Sequence, residues 1–420
     1  MRIYLSLILL CFTLSSFSQN LNEQVPESIR DSVATVINEA IKKEAFPGCQ
    51  VLILKNGQKV YHEAFGYHTY DSITKTRLRD LYDLASVTKI SAPLPALMKL
   101  YDEGKIDLDK PFSTYWKPWR HHKDKKELTL REILAHQAGL ESYIVFVKYI
   151  LKDSEGNFKR RFVRKTESRK FSVKLDDSLY LNHRFHNKMY RIMSRSKVSD
   201  EKKYVYSGLT FLIFPKLIEQ LTGEDYEYYL RKNFYGPMEL ESMWFNPKGK
   251  YPADLIVPTE MDTIYRKELV NASVHDENAS LLGGVSGNAG LFSNADDLAA
   301  LIQMYENYGT YNGKQYISEA TLREFTRVQY PENNNRRGLG FDKPYLDNNG
   351  RSVEKSYPAP SGAPDGFGHS GFTGTFVWAE PDKDLVFVFL SNRVYPYRTH
   401  RMIYELAVKE KVLELFLTMP

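Results

Sequence analysis

The stretch "YDLASVTKISAPLPALMKLYDEGKID" (residues 82–107) places Ser86 three positions ahead of Lys89, where an apolar stripe begins. Ile90, Leu94, Leu97 and Tyr101 recur at helical spacing, and Gly104 ends the run. Spacing alone says little, because Ser-x-x-Lys also occurs at Ser72/Lys75, Ser194/Lys197, Ser199/Lys202 and Ser352/Lys355. Context separates the five. The other four lie in charged stretches ("TYDSITKTR", "MSRSKVSDEKK", "GRSVEKSY"), where a solvated lysine keeps its proton and cannot act as a base. Lys89 borders an apolar helix face that can desolvate it. A serine opening a helix also has an unpaired N–H, and the residue three positions on lies above it on the same face. Pro93 and Pro95 count against an unbroken helix, since each removes a donor and bends an interior turn.

Outward from this stretch, both chain ends read as sheet and helix. Residues 27–45 put Ile29, Val33, Val36, Ile37, Ala40 and Ile41 on one helical face. "CQVLILKNGQKVYHEAFGY" then reads as a hairpin turning at Asn56-Gly57, a dipeptide that tolerates positive φ. Near the other end, "GTFVWAEPDKDLVFVFLSNR" reads as a second hairpin turning at Pro381–Asp384. A helix over 399–417 follows, with Ile403, Leu406, Val412, Leu413 and Phe416 on its apolar side. The expected fold is α+β: an antiparallel sheet built from both chain ends and flanked by helices, with a helix-rich second lobe. The sheet lobe is drawn from about 27–85 and 296–420, the helical lobe from about 86–295.

The first residues, "MRIYLSLILLCFTLSSFSQN", have a secretory pattern: Arg2, an apolar run over 3–13, and small residues at Ser16 and Ser18 before Gln19. Residues 1–18 are therefore expected to be a signal peptide and 19–420 an exported domain, periplasmic or secreted. The run is shorter than the ~20 apolar residues a membrane span needs. A lipid-modified Cys11 is disfavoured by Leu10, where a small residue would be expected. Signal removal leaves Cys49 alone, expected as a small buried side chain. The formal net charge of +5 over 420 residues makes no general case for nucleic acid. Residues 152–203 stand apart: 16 Lys and Arg against 7 Asp and Glu leave a net +9, interleaved with Phe158, Phe162, Phe171, Tyr180, Phe185 and Tyr190. They are either a solvated insertion whose aromatics dock on the lobe, the favoured reading, or a surface for an anionic wall polymer or lipid headgroups.

Two further elements follow in order. "KKYVYSGLTFLIFPKLIEQLTG" gives Tyr206-Ser207-Gly208 ahead of an apolar helix, and "FGHSGFTGTFVWAEP" gives His369-Ser370-Gly371 at the lip of the last hairpin. Together with Ser86/Lys89 this resembles the serine β-lactamase and penicillin-binding-protein-like hydrolases, specifically the class C β-lactamase-related branch with its D-alanyl-D-alanine carboxypeptidases, D-aminopeptidases and esterases. The likeness runs over essentially all of 19–420 and extends to "LTLREILAHQAGL" (128–140) and "GGVSGNAGLFSNADDLAALIQMY" (283–305). It implies that Ser86 is the acylated nucleophile and that Lys89 and Tyr206 share the proton shuttle. It further implies His369 as a fourth catalytic residue and an oxyanion hole from the N–H groups of Ser86 and Phe372, with Ser207, Gly208, Ser370 and Gly371 lining the substrate site.

Two positions depart from that pattern. Gly208 stands where the lactamases have an asparagine that holds the substrate's side-chain amide. His369 stands where they have a lysine suited to a carboxylate, and a histidine is mostly neutral at pH 7 unless a neighbour raises its pKa. Both changes point away from β-lactams, toward an ester, an amide or a cell-wall peptide as small-molecule or peptide substrate. A non-catalytic penicillin-recognising module or scaffold is the competing reading. No cofactor is expected, since His121-His122, His183 and His186 lack zinc-site spacing. His275, Asp276 and Glu277 read as capping and hydrogen-bonding loop residues.

Overall fold

The computed structural model describes residues 25–419, so the expected signal peptide lies outside the described residues. Strand alternation decides where the core sits. β1 (Gly48–Lys55) and β2 (Gln58–Gly66) form the first hairpin, turning through Asn56 at φ 51° and Gly57 at φ 70°. β3 (Phe367–Ser370), β4 (Phe376–Glu380) and β5 (Leu385–Ser391) come from the other end, and Pro381–Lys383 carries the turn between β4 and β5. The spatial order is β3-β4-β5-β1-β2, antiparallel throughout, with Cys49 opposite Ser391 and Lys55 opposite Leu385. One sheet is thus closed by both chain ends, as the sequence predicts.

Side chains alternate across this sheet and fill two separate cores. Val51, Ile53, Phe387 and Phe389 pack with Val33, Ile37 and Ala40 of the Glu27–Lys42 helix and with Val412, Leu413 and Phe416 near the C-terminus. Leu52, Leu54, Val386 and Val388 face the other way, into a larger core shared with the Ala295–Glu306 helix and the helical lobe. Burial on both faces explains why these strands read as continuous apolar runs. Cys49 is buried in β1 and has no disulfide partner among the described residues.

Two helices differ from expectation. The single helix expected over 399–417 is two, Met402–Glu405 and Val408–Leu417, because Ala407 at φ 48° breaks the ladder between them. The stretch after Ser86 also divides. A short helix, Thr88–Ser91, stops at Ala92 (φ −128°, ψ −72°), and a second runs over Pro93–Asp102. Pro93 and Pro95 fall in the first turn of that second helix, where no backbone donor is required. The 152–203 insertion forms a small sheet (Val163–Arg164, Tyr180–Leu181, Val173–Lys174) and the Phe185–Arg195 helix. Phe185 is buried in the large core, with Phe158, Phe162 and Tyr190 packed against it. The aromatics dock on the lobe and leave the cations outside. Among the described residues no helix is long and apolar enough to cross a membrane.

Candidate active site

Ser86 sits in a one-turn 3-10 segment, Ala85–Val87, between the strand Tyr82–Asp83 and the Thr88–Ser91 helix. Ala85 is left-handed at φ 45°, an unfavourable backbone for a residue with a Cβ, and the surroundings hold it there. The buried Asp83 carboxylate accepts the Ala85 N–H at 2.8 Å and the His275 N–H at 2.7 Å, and burial pushes its carboxyl up from the usual range. From the opposite side, Thr373 Oγ1 donates to Asp83 O at 2.7 Å and Thr375 Oγ1 to Leu84 O at 2.9 Å. A Cβ on Gly371 would lie 2.5 Å from Leu84 O, so only glycine lets the loop after β3 approach this closely. The loop carries Phe372 to the serine turn, and among the described residues no acceptor takes the Phe372 N–H.

Lys89 is 2% exposed, whereas Lys75, Lys197, Lys202 and Lys355 of the other four pairs are all exposed. Its Nζ donates to Ser86 Oγ at 2.9 Å and to the backbone oxygen of Asn288 at 2.9 Å. The Lys89 Nζ lies 5.3 Å from the centre of the Tyr206 ring and 5.5 Å from that of Phe211. Tyr206 is half-buried, and its hydroxyl has no hydrogen-bond partner among the described residues. The Tyr206 ring is 6.1 Å from the His369 ring. A hydroxyl, an amine, a phenol and an imidazole therefore converge, with Ser86 partly open to solvent.

His369 is buried on β3. Its Nδ1 donates to Ser370 O at 2.8 Å, and the Arg337 guanidinium faces Nε2 at 3.4 Å. Burial pushes the imidazole pKa down to about 3, the nearby Asp342 carboxylate opposes this, and Arg337 and Lys89 add to it. His369 is thus neutral at pH 7. Arg337, 1% exposed, is ion-paired with the Asp342 carboxylate and stacks 5.6 Å from the Tyr206 ring centre. Burial works against the Asp342 carboxylate, but Arg337 and Arg336 hold its pKa well below the usual range. The Arg337 charge beside His369 is therefore buried, and it shares the one Asp342 carboxylate with Arg336.

Sequence reasoning missed Arg337, Asp342, Asn288 and His136. His136 is buried with φ 55°, accepts the Ser207 N–H at Nδ1 (3.1 Å), and packs its ring 4.5 Å from that of Tyr206. Burial, then Arg337 and Lys89, hold it neutral. Asn288 is fixed by Ser286 at 2.7 Å and by its own donation to Asp276 at 3.0 Å. His136 and Asn288 lie in the two segments already noted as family-like; Arg337 and Asp342 carried no local signal. Of the remaining expected site residues, Ser370 is half-exposed, whereas the Ser207 hydroxyl donates to Glu141 O at 2.6 Å and faces inward. A Cβ on Gly208 would meet nothing closer than Asn288 Cβ at 4.0 Å, leaving room beside Tyr206. Asp276 caps the Glu277–Ser280 helix, and His275 pairs with Glu260 at 2.8 Å.

The profile of the Beta-lactamase family matches residues 33–409. The chain belongs to the β-lactamase family. Within it, this β-lactamase-family protein is 27% identical over 372 residues to the N-acetylmuramyl-L-alanine amidase of Bacillus subtilis (strain 168), covering 83% of this chain and 77% of that one. Its fold is that of "EstCE1, a hydrolase with promiscuous acyltransferase activity" (TM-score 0.63, 18% identity, 92% of this chain and 98% of the other). A penicillin-binding protein homolog from Caulobacter crescentus is similar to the same degree (TM-score 0.63, 16% identity, 93% and 98% covered).

Proposed function

We propose that the protein is an exported serine hydrolase that forms an acyl-enzyme at Ser86 on an ester, amide or cell-wall peptide with no carboxylate beside the scissile bond. The observation that carries this is the buried Lys89 Nζ shared between Ser86 Oγ and Asn288 O, next to an imidazole that stays neutral. Ser86 Oγ attacks the carbonyl carbon, and its proton passes to whichever member of the Lys89–Tyr206 pair is unprotonated, the free amine or the phenolate. The tetrahedral oxyanion takes the N–H groups of Ser86 and Phe372, each such donor being worth roughly 10²–10³ in rate. Tyr206, whose hydroxyl has no hydrogen-bond partner among the described residues, delivers the proton to the leaving group as the carbonyl reforms. A water then attacks the ester by the same route in reverse.

Substrate charge follows from what stands where a penicillin-type site keeps a free lysine. His369 offers no cation there, and that of Arg337 is held by Asp342 behind it. Such a pocket favours neutral acyl donors over penicillins and D-alanine termini. The amidase name of one relative accords with this, whereas relatives 29–30% identical over 83% of this chain that are named putative D-alanyl-D-alanine carboxypeptidase point the other way, to D-alanine termini. Export through residues 1–18 and retention on an anionic polymer through 152–203 complete the reading. The test is a panel of p-nitrophenyl esters, peptide amides and a chromogenic cephalosporin, run with wild type and Ser86→Ala. Ester or amide turnover lost in the variant, with slow or no cephalosporin turnover, is expected. Cephalosporin turnover at tens per second, abolished by Ser86→Ala, would overturn the neutral-substrate reading.

A further inference from the structure

The Phe185–Arg195 helix separates two grooves that share Arg191 and Arg195. One, of about 500 Å³, is lined by Arg161, Phe162, Lys188, Arg191, Ile192 and Arg195. The other, of about 490 Å³, adds Trp116, His122, Tyr190 and Lys216. Arg161, Lys188, Arg191 and Arg195 meet no carboxylate within 4.0 Å among the described residues, although Lys174 in the same insertion pairs with Asp177 at 3.0 Å and Lys216 with Glu219 at 3.1 Å. Lys188, Arg191 and Arg195 follow at helical intervals of three and four, where like charges repel. Arg161 and Lys188 both sit 4.7 Å from the centre of the Phe162 ring. Burial, Arg161 and Lys159 lower the pKa of Lys188, a sign of uncompensated positive charge.

We infer that these two grooves form one binding site for a linear acidic glycan bearing phosphate or sulfate groups. Guanidinium forks match the paired oxygens of such groups. From Lys188 to Arg195 the helix advances about 10 Å, enough for successive anionic groups along a chain rather than one point charge. Tyr190, partly exposed at the second groove, offers an aromatic surface for a sugar ring, with the buried Trp116 meeting it edge-on at 5.5 Å between ring centroids. A bilayer is disfavoured because the exposed large hydrophobic side chains all lie outside residues 152–203, leaving nothing in the insertion to enter the acyl boundary. The inference rests on the retention named in the proposed function but is independent of Ser86.

The experiment titrates a fluorescent heparin-derived octasaccharide against the intact protein at low salt and at about 0.5 M NaCl. Wild type, Arg191→Ala/Arg195→Ala, and the exposed control pair Lys165→Ala/Arg169→Ala are compared, the last removing equal charge outside the grooves. Saturable binding that salt weakens, and that falls about tenfold in the groove variant but less than about twofold in the control, is expected. Equal losses in the two variants would reduce the effect to net charge and overturn the site. So would no binding at low salt, or tighter binding to phosphatidylglycerol vesicles or to an oligothymidylate. Ester hydrolysis is measured on the same samples and is expected to be unchanged in both variants. A wild type that binds the octasaccharide but hydrolyses nothing would sink the enzyme reading and leave this one standing.

Discussion

Lys89→Ala would remove the amine shared by Ser86 Oγ and Asn288 O while leaving the serine turn, held from Asp83 and Thr375, in place. Ester hydrolysis is expected to fall by about 10³-fold or more in kcat, and Lys89→Arg is expected not to restore it, since a guanidinium does not give up its proton. Circular dichroism on both variants checks that the loss is chemical. One layer back, Asp342→Asn leaves the Arg337 cation buried without its carboxylate. A loss of about 3–5 kcal/mol in urea unfolding is expected, far more than an exposed pair such as Lys43–Glu39 would cost. The residues named from the sequence could be found because they sit in short motifs in a recognisable order. Arg337 could not. It reaches the site through a bridge between Asp342 and Gly368, a long-range pairing that no local pattern encodes.

The loop after β3 is held against the serine turn by two threonine hydroxyls and one glycine. In Gly371→Ala the new methyl would lie 2.0 Å from Thr375 Oγ1 and 2.5 Å from Leu84 O, so the loop must retreat and take the Phe372 N–H with it. The expected result is a drop of about 10²-fold in kcat with a much smaller change in KM, the signature of a contact made in the transition state. An equal rise in KM would assign the loop to ground-state binding instead. Element boundaries were legible where local chemistry sets them, as at Asn56-Gly57. The break at Ala407 was not, because alanine carries no sequence signal for a left-handed turn.

For the whole molecule, stability should be greatest in mildly acidic solution. Glu306 is buried at the end of the Ala295–Glu306 helix with Oε1 unpaired, and burial with Asp384 nearby pushes its carboxyl up to about 8. The folded state keeps this proton while the unfolded chain releases it at the ordinary carboxylate value. The stability it supports is therefore full at low pH and drains away as pH rises toward 8. Glu380, raised to about 7 chiefly by burial, acts in the same direction. His369, lowered to about 3, and His136, which burial also holds well below its ordinary value, act the opposite way: below about pH 6.5 the unfolded chain binds two protons that the folded site refuses. Melting temperatures are thus expected to peak between about pH 5 and 6.5, and Glu306→Gln to narrow the gap between about pH 5 and 8. An unchanged gap would show that Glu306 ionises freely in the folded state. Bulk composition gave no hint of this, because these carboxyls become unusual only once the sheet covers them.

The pairing of Cys49 with Ser391 has a further consequence for how the molecule is made. The first hairpin is made well before the strand beside it, because residues 49 and 391 can meet only after all the intervening chain has been synthesised. Until then the serine exists but the edge bearing His369 and Phe372 has no sheet to join. A chain cut before Leu385 is therefore expected to leave the candidate site unassembled, the serine turn and the edge carrying His369 having no common sheet.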